Sequence, residues 1–246
     1  MSTAQDLLHA RYGDDSLPAP AVWSPVIEHL LGHRSVRHYL PDPVSDEQLA
    51  AIVAAAQSAS SSSNLQAWSV VAVRDPARRA ALAELAGDQV HVREAPLQLV
   101  WLADLARLER VAAQNERPSA ALDYLEMFLV GVIDAALAAQ NAVAAAESLG
   151  LATVYIGGMR NQPEKVAELL GLPPKVVAVF GMCMGTPDPA RPAAIKPRPP
   201  QSVVLHQETY ALDAQDAGIE AYNAAMARFY ESQQMKVHGT WAVHSA

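Results

Sequence analysis

Between Ser119 and Leu149 the chain carries apolar residues that no single-faced surface helix could accommodate. The segment reads as one long helix ended by Gly150, and at 1.5 Å per residue it would span roughly 45 Å. Leu125, Phe128, Leu129, Val132, Ile133, Ala136, Leu137 and Val143 cover more than half its circumference, so it must be buried on several sides. That is more helix than one core of a 246-residue chain comfortably surrounds. A central helix shared by two copies of the chain meets the requirement without a further domain. A membrane span is rejected, because Asp123, Glu126, Asp134, Gln140, Asn141 and Glu147 interrupt the apolar run.

The remaining patterning describes one α+β domain. Residues 1–32 form a helical arm interrupted at Pro18, Pro20 and Pro25. Ser45 and Gln48 have capping-box spacing and open a helix over 46–58, with Leu49, Ile52, Val53 and Ala56 on its apolar face. Trp68–Val73, Leu97–Leu102, Leu151–Ile156 and Val176–Met182 read as strands, and Asp75-Pro76 opens a helix closed by Gly87. Pro163 to Leu170 is a short helix stopped by Gly171. Six prolines make 186–200 an extended loop. A short strand is expected over Ser202–Leu205, a final helix over Asp213–Gln233, and a weakly ordered tail after Lys236.

A net charge of −8 argues against nucleic acid as the partner. The single Cys183 lies in an apolar run, excludes an internal disulfide and fits a buried thiol in a reducing cytoplasm. No secretory signal is visible at the N-terminus, where Asp6 interrupts the apolar residues. No His or Cys has ligand spacing with His33, so no metal site is expected. Neither a Walker loop nor a Rossmann fingerprint is present, and the serines lack a nucleophile elbow.

Four segments carry chemistry. The first is His33-Arg34-Ser35-Val36-Arg37, whose guanidinium groups suit phosphate oxygens. The second is Ser60-Ser61-Ser62-Ser63-Asn64-Leu65-Gln66, a source of hydroxyl donors. The third, Tyr155-Ile156-Gly157-Gly158, closes a strand with two residues that permit close backbone approach to a flat ligand. The fourth is Lys196-Pro197-Arg198, two cations on an extended backbone. Each has an ordinary reading, as turn, loop or solvated surface. Together they suit a phosphorylated cofactor.

Taken in order with Gly87-Asp88-Gln89-Val90-His91-Val92 and Gln140-Asn141-Ala142, these segments resemble the nitroreductase superfamily over residues 28–230. The similarity is to its oxygen-insensitive NADPH nitroreductases and NADPH–flavin oxidoreductases. The resemblance implies an α+β fold with a central mixed, mostly antiparallel sheet flanked by helices, in an intertwined homodimer with FMN at the subunit interface. It implies one FMN-binding domain over 1–246, with 1–27 as an arm and 186–246 as an extended loop and helical region. By similarity, His33, Arg34, Ser35 and Arg37 hold the phosphate, the ribityl chain and part of the ring, with Lys196 and Arg198 adding contacts. Ser61, Ser62 and Ser63 would approach FMN from the partner subunit, with Gln66 beside them. Gln89 would face the ring, and Tyr155, Ile156, Gly157 and Gly158 would line it.

The activity implied is FMN-dependent NAD(P)H oxidation coupled by ping-pong kinetics to reduction of nitroaromatics, quinones or flavins. FMN carries the chemistry, so no protein group is expected as catalytic acid, base or nucleophile. A flavin-binding storage or sensing protein is the alternative. Relatives that discriminate for NADPH carry an arginine-bearing loop after the final long helix. Here Tyr230–Trp241 offers Lys236 and His238, and the chain ends at Ala246 before the extension those relatives possess. Because one Lys cannot reproduce a bidentate Arg clamp, NADH use alongside NADPH is expected. Asn64 stands where relatives often carry an aromatic residue.

Overall fold

The computed structural model describes residues 3–235, 237 and 239–246. In chain order the helices and strands are α1 (Ala4–Tyr12), α2 (Pro25–Leu31), α3 (Asp46–Gln57), β1 (Trp68–Val73), α4 (Pro76–Leu85), α5 (Val90–Glu94), β2 (Leu97–Asp104), α6 (Ala106–Gln114), α7 (Leu125–Ser148), β3 (Ala152–Ile156), α8 (Pro163–Leu170), β4 (Val176–Gly185), α9 (Gln201–Val204), α10 (Asp216–Ser232) and α11 (Trp241–Ser245). They fall into two compact units, Ser35–Ala193 and a second made of Met1–Arg34 with Ala194–Ala246.

The larger unit is a four-stranded sheet of order β1-β2-β4-β3, each neighbouring pair antiparallel. All eight residues of β2 are buried, because its two faces are covered by different helices. On one face Leu97, Leu99 and Trp101 pack with Ala135, Ala138, Ala139 and Ala142 of α7 and Ile52 of α3. On the other, Val100 and Leu102 meet Leu82 and Ala83 of α4, Val92 of α5 and Val166 of α8. This alternation is the period-2 pleat of a strand between two layers. The capping box at α3 is realised: the Ser45 hydroxyl accepts the Gln48 N–H at 3.1 Å, and the Gln48 side chain accepts the Ser45 N–H at 3.0 Å.

The long helix is shorter than its sequence suggests. Ala120–Asp123 is a 3₁₀ turn, Tyr124 is extended (φ −80°, ψ 146°), and α7 proper has 24 residues, about 36 Å. Just before the break Asp123 lies 2.9 Å from Lys175 Nζ, which also holds Glu109 at 2.6 Å. The small residues of α7 face the sheet. A Cβ on Gly131 would sit 3.0 Å from Ala103 Cβ and 3.2 Å from the Ala67 carbonyl oxygen, so this glycine sets how closely the helix lies on the layer below. Leu125, Phe128, Leu129, Ile133 and Leu137 line an exposed stripe; Ile133 is 55% exposed. Among the described residues α7 is the one helix long and apolar enough to cross a membrane, yet it packs on α3, β1, β2 and β3.

In the smaller unit, α1 packs with α2, and α9 and α11 pack with α10. Two expectations fail here. Ser202–Leu205 is not a strand: α9 follows Pro200, with Leu205 N–H bonded to Gln201 O at 2.8 Å. Its β-branched residues imitate a strand, but the local turn bonds satisfy the backbone. The tail is ordered into α11, where Trp241 meets Tyr222 edge-on at 5.0 Å and Ala242 N–H donates to Asn223 Oδ1 at 3.0 Å. Lys236 and His238, the expected cations of this region, lie outside the described residues.

Candidate functional site

In the larger unit the serine run forms a tight loop with three non-glycine residues in the left-handed region: Ser63 (φ 48°), Asn64 (φ 56°) and Gln66 (φ 52°). Its anchor is Asp134 of α7, only 1% exposed. The Ser61 hydroxyl donates to Asp134 Oδ2 at 2.7 Å and accepts the Gln66 N–H at 2.8 Å. Ala67 N–H donates to the same carboxylate oxygen at 3.0 Å, and Ser62 N–H to Oδ1 at 3.3 Å. Arg107 holds the other flank, donating to the Gln66 carbonyl at 2.8 Å. The Gln66 side chain donates to Asn64 Oδ1 at 2.9 Å. Of the three serines expected to approach a cofactor, Ser61 therefore gives its proton to the loop's own scaffold, whereas Ser62 and Ser63 are exposed.

The same unit brings Ser35–Arg37 beside β3. Val36 is buried, and its N–H donates to Thr153 O at 3.0 Å. The Tyr39 hydroxyl donates to Val36 O at 2.6 Å, fixing the segment from behind. Ser35 and Arg37, on either side of the buried Val36, are exposed. On β3, Tyr155 is exposed and meets Phe180 in an edge-on contact of 5.2 Å, while Ile156 belongs to the core. Only the backbone of Ile156 is thus available to a ligand.

The two glycines after β3 do different jobs, although neither has a positive φ. A Cβ on Gly158 would collide with the Ala86 carbonyl at the end of α4, so that space is taken by the fold. At Gly157 the nearest atoms to an added Cβ belong to the end of the Arg160 side chain, at 3.3 Å, and the residue itself is exposed, so its backbone can be approached by a planar group. Gln89 precedes α5 and is exposed. Two residues on, burial holds His91 below the ordinary imidazole range, helped by the nearby charges of Arg37 and His38. Ser35, Arg37, Tyr155, Gly157 and Gln89 therefore supply a hydroxyl, a guanidinium, a ring, an open backbone and an amide within one unit.

The smaller unit gathers its own candidates around Arg11, which is 7% exposed. Its guanidinium donates to the carbonyls of Leu31 at 2.7 Å, His33 at 2.6 Å and Lys196 at 3.1 Å. Its carbonyl accepts the Arg198 N–H at 2.7 Å. One buried cation thereby binds the His33-Arg34 and Lys196-Arg198 backbones together. Lys196 Nζ stands 6.0 Å from the Phe229 ring centroid, a cation–π arrangement. Arg34 and Arg198 are exposed.

Comparison with known proteins decides the family. The nitroreductase family model matches residues 30–186, and the model of that family's C-terminal domain matches residues 196–246. The chain belongs to the nitroreductase family. It is 44% identical over 223 residues to an oxygen-insensitive NADPH nitroreductase of Salmonella typhimurium, covering 90% of this chain and 89% of that one. It is 40% identical over 220 residues to an FMN reductase (NADPH) of Bacillus subtilis, covering 88% of each. Among solved structures, B. megaterium NfrA2 superposes with a TM-score of 0.86 at 40% identity, over 91% of this chain and 90% of that one.

For a nitroreductase-family chain, the donors that each unit carries by itself are of the kind that suits a flavin mononucleotide. Arg34, Arg37 and Arg198 have no carboxylate partner within ion-pair distance among the described residues. Guanidinium groups left without an anion suit a phosphate or the negative charge of a reduced ring. Gly157 is exposed and carries no side chain to obstruct a flat ring. Cys183 is no rival nucleophile, since burial in β4 pushes its thiol up to about 12.

Sequence reasoning missed Asp134, Arg11 and Arg107. Asp134 did carry a signal, a lone carboxylate on the sheet-facing side of an apolar helix. Arg11 carried none, because the carbonyls it holds lie 20 to 185 residues along the chain, and the nearby Asp104 of Arg107 gave no hint of its reach to the Gln66 carbonyl.

Proposed function

We propose that this nitroreductase-family chain is an FMN-dependent NAD(P)H oxidoreductase that reduces nitroaromatics, quinones or flavins, with FMN held by His33, Arg34, Ser35, Arg37, Ser61, Ser62, Ser63, Gln66, Gln89, Tyr155, Ile156, Gly157, Gly158, Lys196 and Arg198. The observation that carries the reading is the group of exposed donors, Ser35, Arg37 and Gln89, in the same unit as the open backbone of Gly157. FMN, when bound, supplies the redox chemistry, taking reducing equivalents from a pyridine nucleotide and passing them to an acceptor.

The protein's part is binding and electrostatics. Arg37 stabilises negative charge on the reduced ring, an effect of the oxyanion-hole kind. Arg34, Lys196 and Arg198 neutralise the phosphate, and Gly157 admits the ring edge. Ser61 serves through the loop it holds, and Ile156 through its backbone. No side chain is assigned as a catalytic acid, base or nucleophile. The stripe of Leu125, Phe128, Leu129, Ile133 and Leu137 pairs with its counterpart in a homodimer, and residues 1–246 work as one FMN-binding domain. The protein acts in the cytoplasm on small-molecule acceptors, without a membrane or nucleic-acid partner.

Arg37→Ala tests the assignment. Its side chain is exposed, so the variant should stay folded and dimeric while losing most of its FMN on gel filtration. A folded variant with full flavin content would count against the site.

A further inference from the structure

From the loop that carries Ser62 and Ser63 we infer a positioning residue for the flavin site: Asp134, whose buried carboxylate holds Ser61–Ala67 in the shape that presents those two hydroxyls to the cofactor. The inference rests on the flavin reading above and concerns the residue that prepares the site.

Three observations converge on it. The loop's backbone is unfavourable by itself, because Ser63, Asn64 and Gln66 all occupy the sparsely populated left-handed region. Such a conformation persists only where its surroundings over-determine it. Asp134 does so from inside, accepting from the Ser61 hydroxyl, Ala67 N–H and Ser62 N–H at 2.7, 3.0 and 3.3 Å. These partners sit at both ends of the loop, 67 to 73 residues away in sequence, so one carboxylate closes it like a clasp. Third, Gly131, one turn before Asp134, lets α7 approach the Ala67 carbonyl closely enough for the carboxylate to reach the Ala67 amide.

The geometry explains why the residue is Asp. Both carboxylate oxygens accept, and each faces an N–H donor. In Asn one oxygen becomes an NH₂ group, so whichever way the amide sits a donor faces a donor. Asp134→Asn therefore opens the clasp while keeping size and packing. Ser61 offers the complementary test. Its backbone is extended (φ −132°, ψ 138°), a conformation Thr adopts readily, so Ser61→Thr keeps the hydroxyl and Ser61→Ala removes it.

The experiment measures FMN affinity by flavin fluorescence quenching, well below each variant's melting temperature, for the full-length protein and these three variants. If the loop loses its shape in most molecules, apparent Kd rises by the inverse of the competent fraction, about tenfold or more when fewer than a tenth remain competent. The expected result is such a rise for Asp134→Asn and Ser61→Ala, with Ser61→Thr within about threefold of the parent. A purely structural role would lower the melting temperature and leave Kd unchanged, which would overturn the inference. Should Asp134→Asn fail to fold, Ser61→Ala decides alone, and a parental Kd there also overturns it. Parent protein that takes up no FMN would refute the flavin reading itself, a result distinct from a parent and an Asp134→Asn variant that bind equally well.

Discussion

Gly158 packs its Cα face against the Ala86 carbonyl so closely that an added Cβ would lie 3.0 Å from the Ala86 carbonyl carbon and 3.2 Å from its Cα. The turn leaving β3 is thereby locked to the end of α4, whereas at Gly157, one residue earlier, an added Cβ would meet the end of the Arg160 side chain at 3.3 Å. Gly158→Ala must displace backbone. Overpacking of this kind costs about 1–3 kcal/mol, and each kcal/mol lowers Tm by about 2–4 °C at this size. Gly157→Ala should melt within about 2 °C of the parent and yet bind FMN more weakly. Thermal melts with flavin titration separate the two.

The exposed stripe of α7 should be the dimer contact. Leu137 is 44% exposed within the chain, so Leu137→Asp puts no charge into the chain's own core. A desolvated carboxylate at a subunit contact is costly. Sedimentation velocity should report a folded monomer with little flavin, and a stable Leu137→Asp dimer would place the contact elsewhere.

Arg11→Met removes the donor shared by Leu31, His33 and Lys196. The three carbonyls are only part-buried, so water can replace some of the lost bonding, and a stability loss of about 1–3 kcal/mol in all should appear in urea titration. Because the affected backbone carries His33, Arg34, Lys196 and Arg198, the variant should also lose its preference for FMN over riboflavin. An unchanged preference would mean that these cations do not serve the phosphate.

His91 gives a pH dependence of definite sign. Burial first, then Arg37 and His38, hold its folded-state pKa below the ordinary value of 6.5. The unfolded chain therefore takes up the proton first as pH falls. Stability from this group is present above the unfolded value and is lost as pH drops through the folded one. The fall in Tm between pH 8 and pH 5 should be smaller for His91→Asn than for the parent.

Much of the fold was legible where local chemistry decides it. Ser45 and Gln48 carry their cap in their spacing, and Trp68–Val73 and Pro163–Leu170 have the bounds their patterns suggest. The reading failed where distant partners decide. Nothing near Asp123 foretells Lys175, and Asn223 and Tyr222 order Trp241–Ser245 from another helix. The site divides in the same way. Arg37 and Gly157 stand out as residue types, whereas Asp134 and Arg11 act on backbone groups that become neighbours only after folding.

Anaerobic reduction of the FMN-loaded protein tests the central claim most directly. NADPH and NADH should each bleach the bound flavin, and a nitroaromatic or quinone should restore its colour. The two nucleotides should differ in kcat/KM by less than about a hundredfold, ~2.7 kcal/mol of transition-state discrimination. FMN-loaded protein that stays oxidised with both nucleotides would contradict the account and leave a flavin-binding protein without turnover.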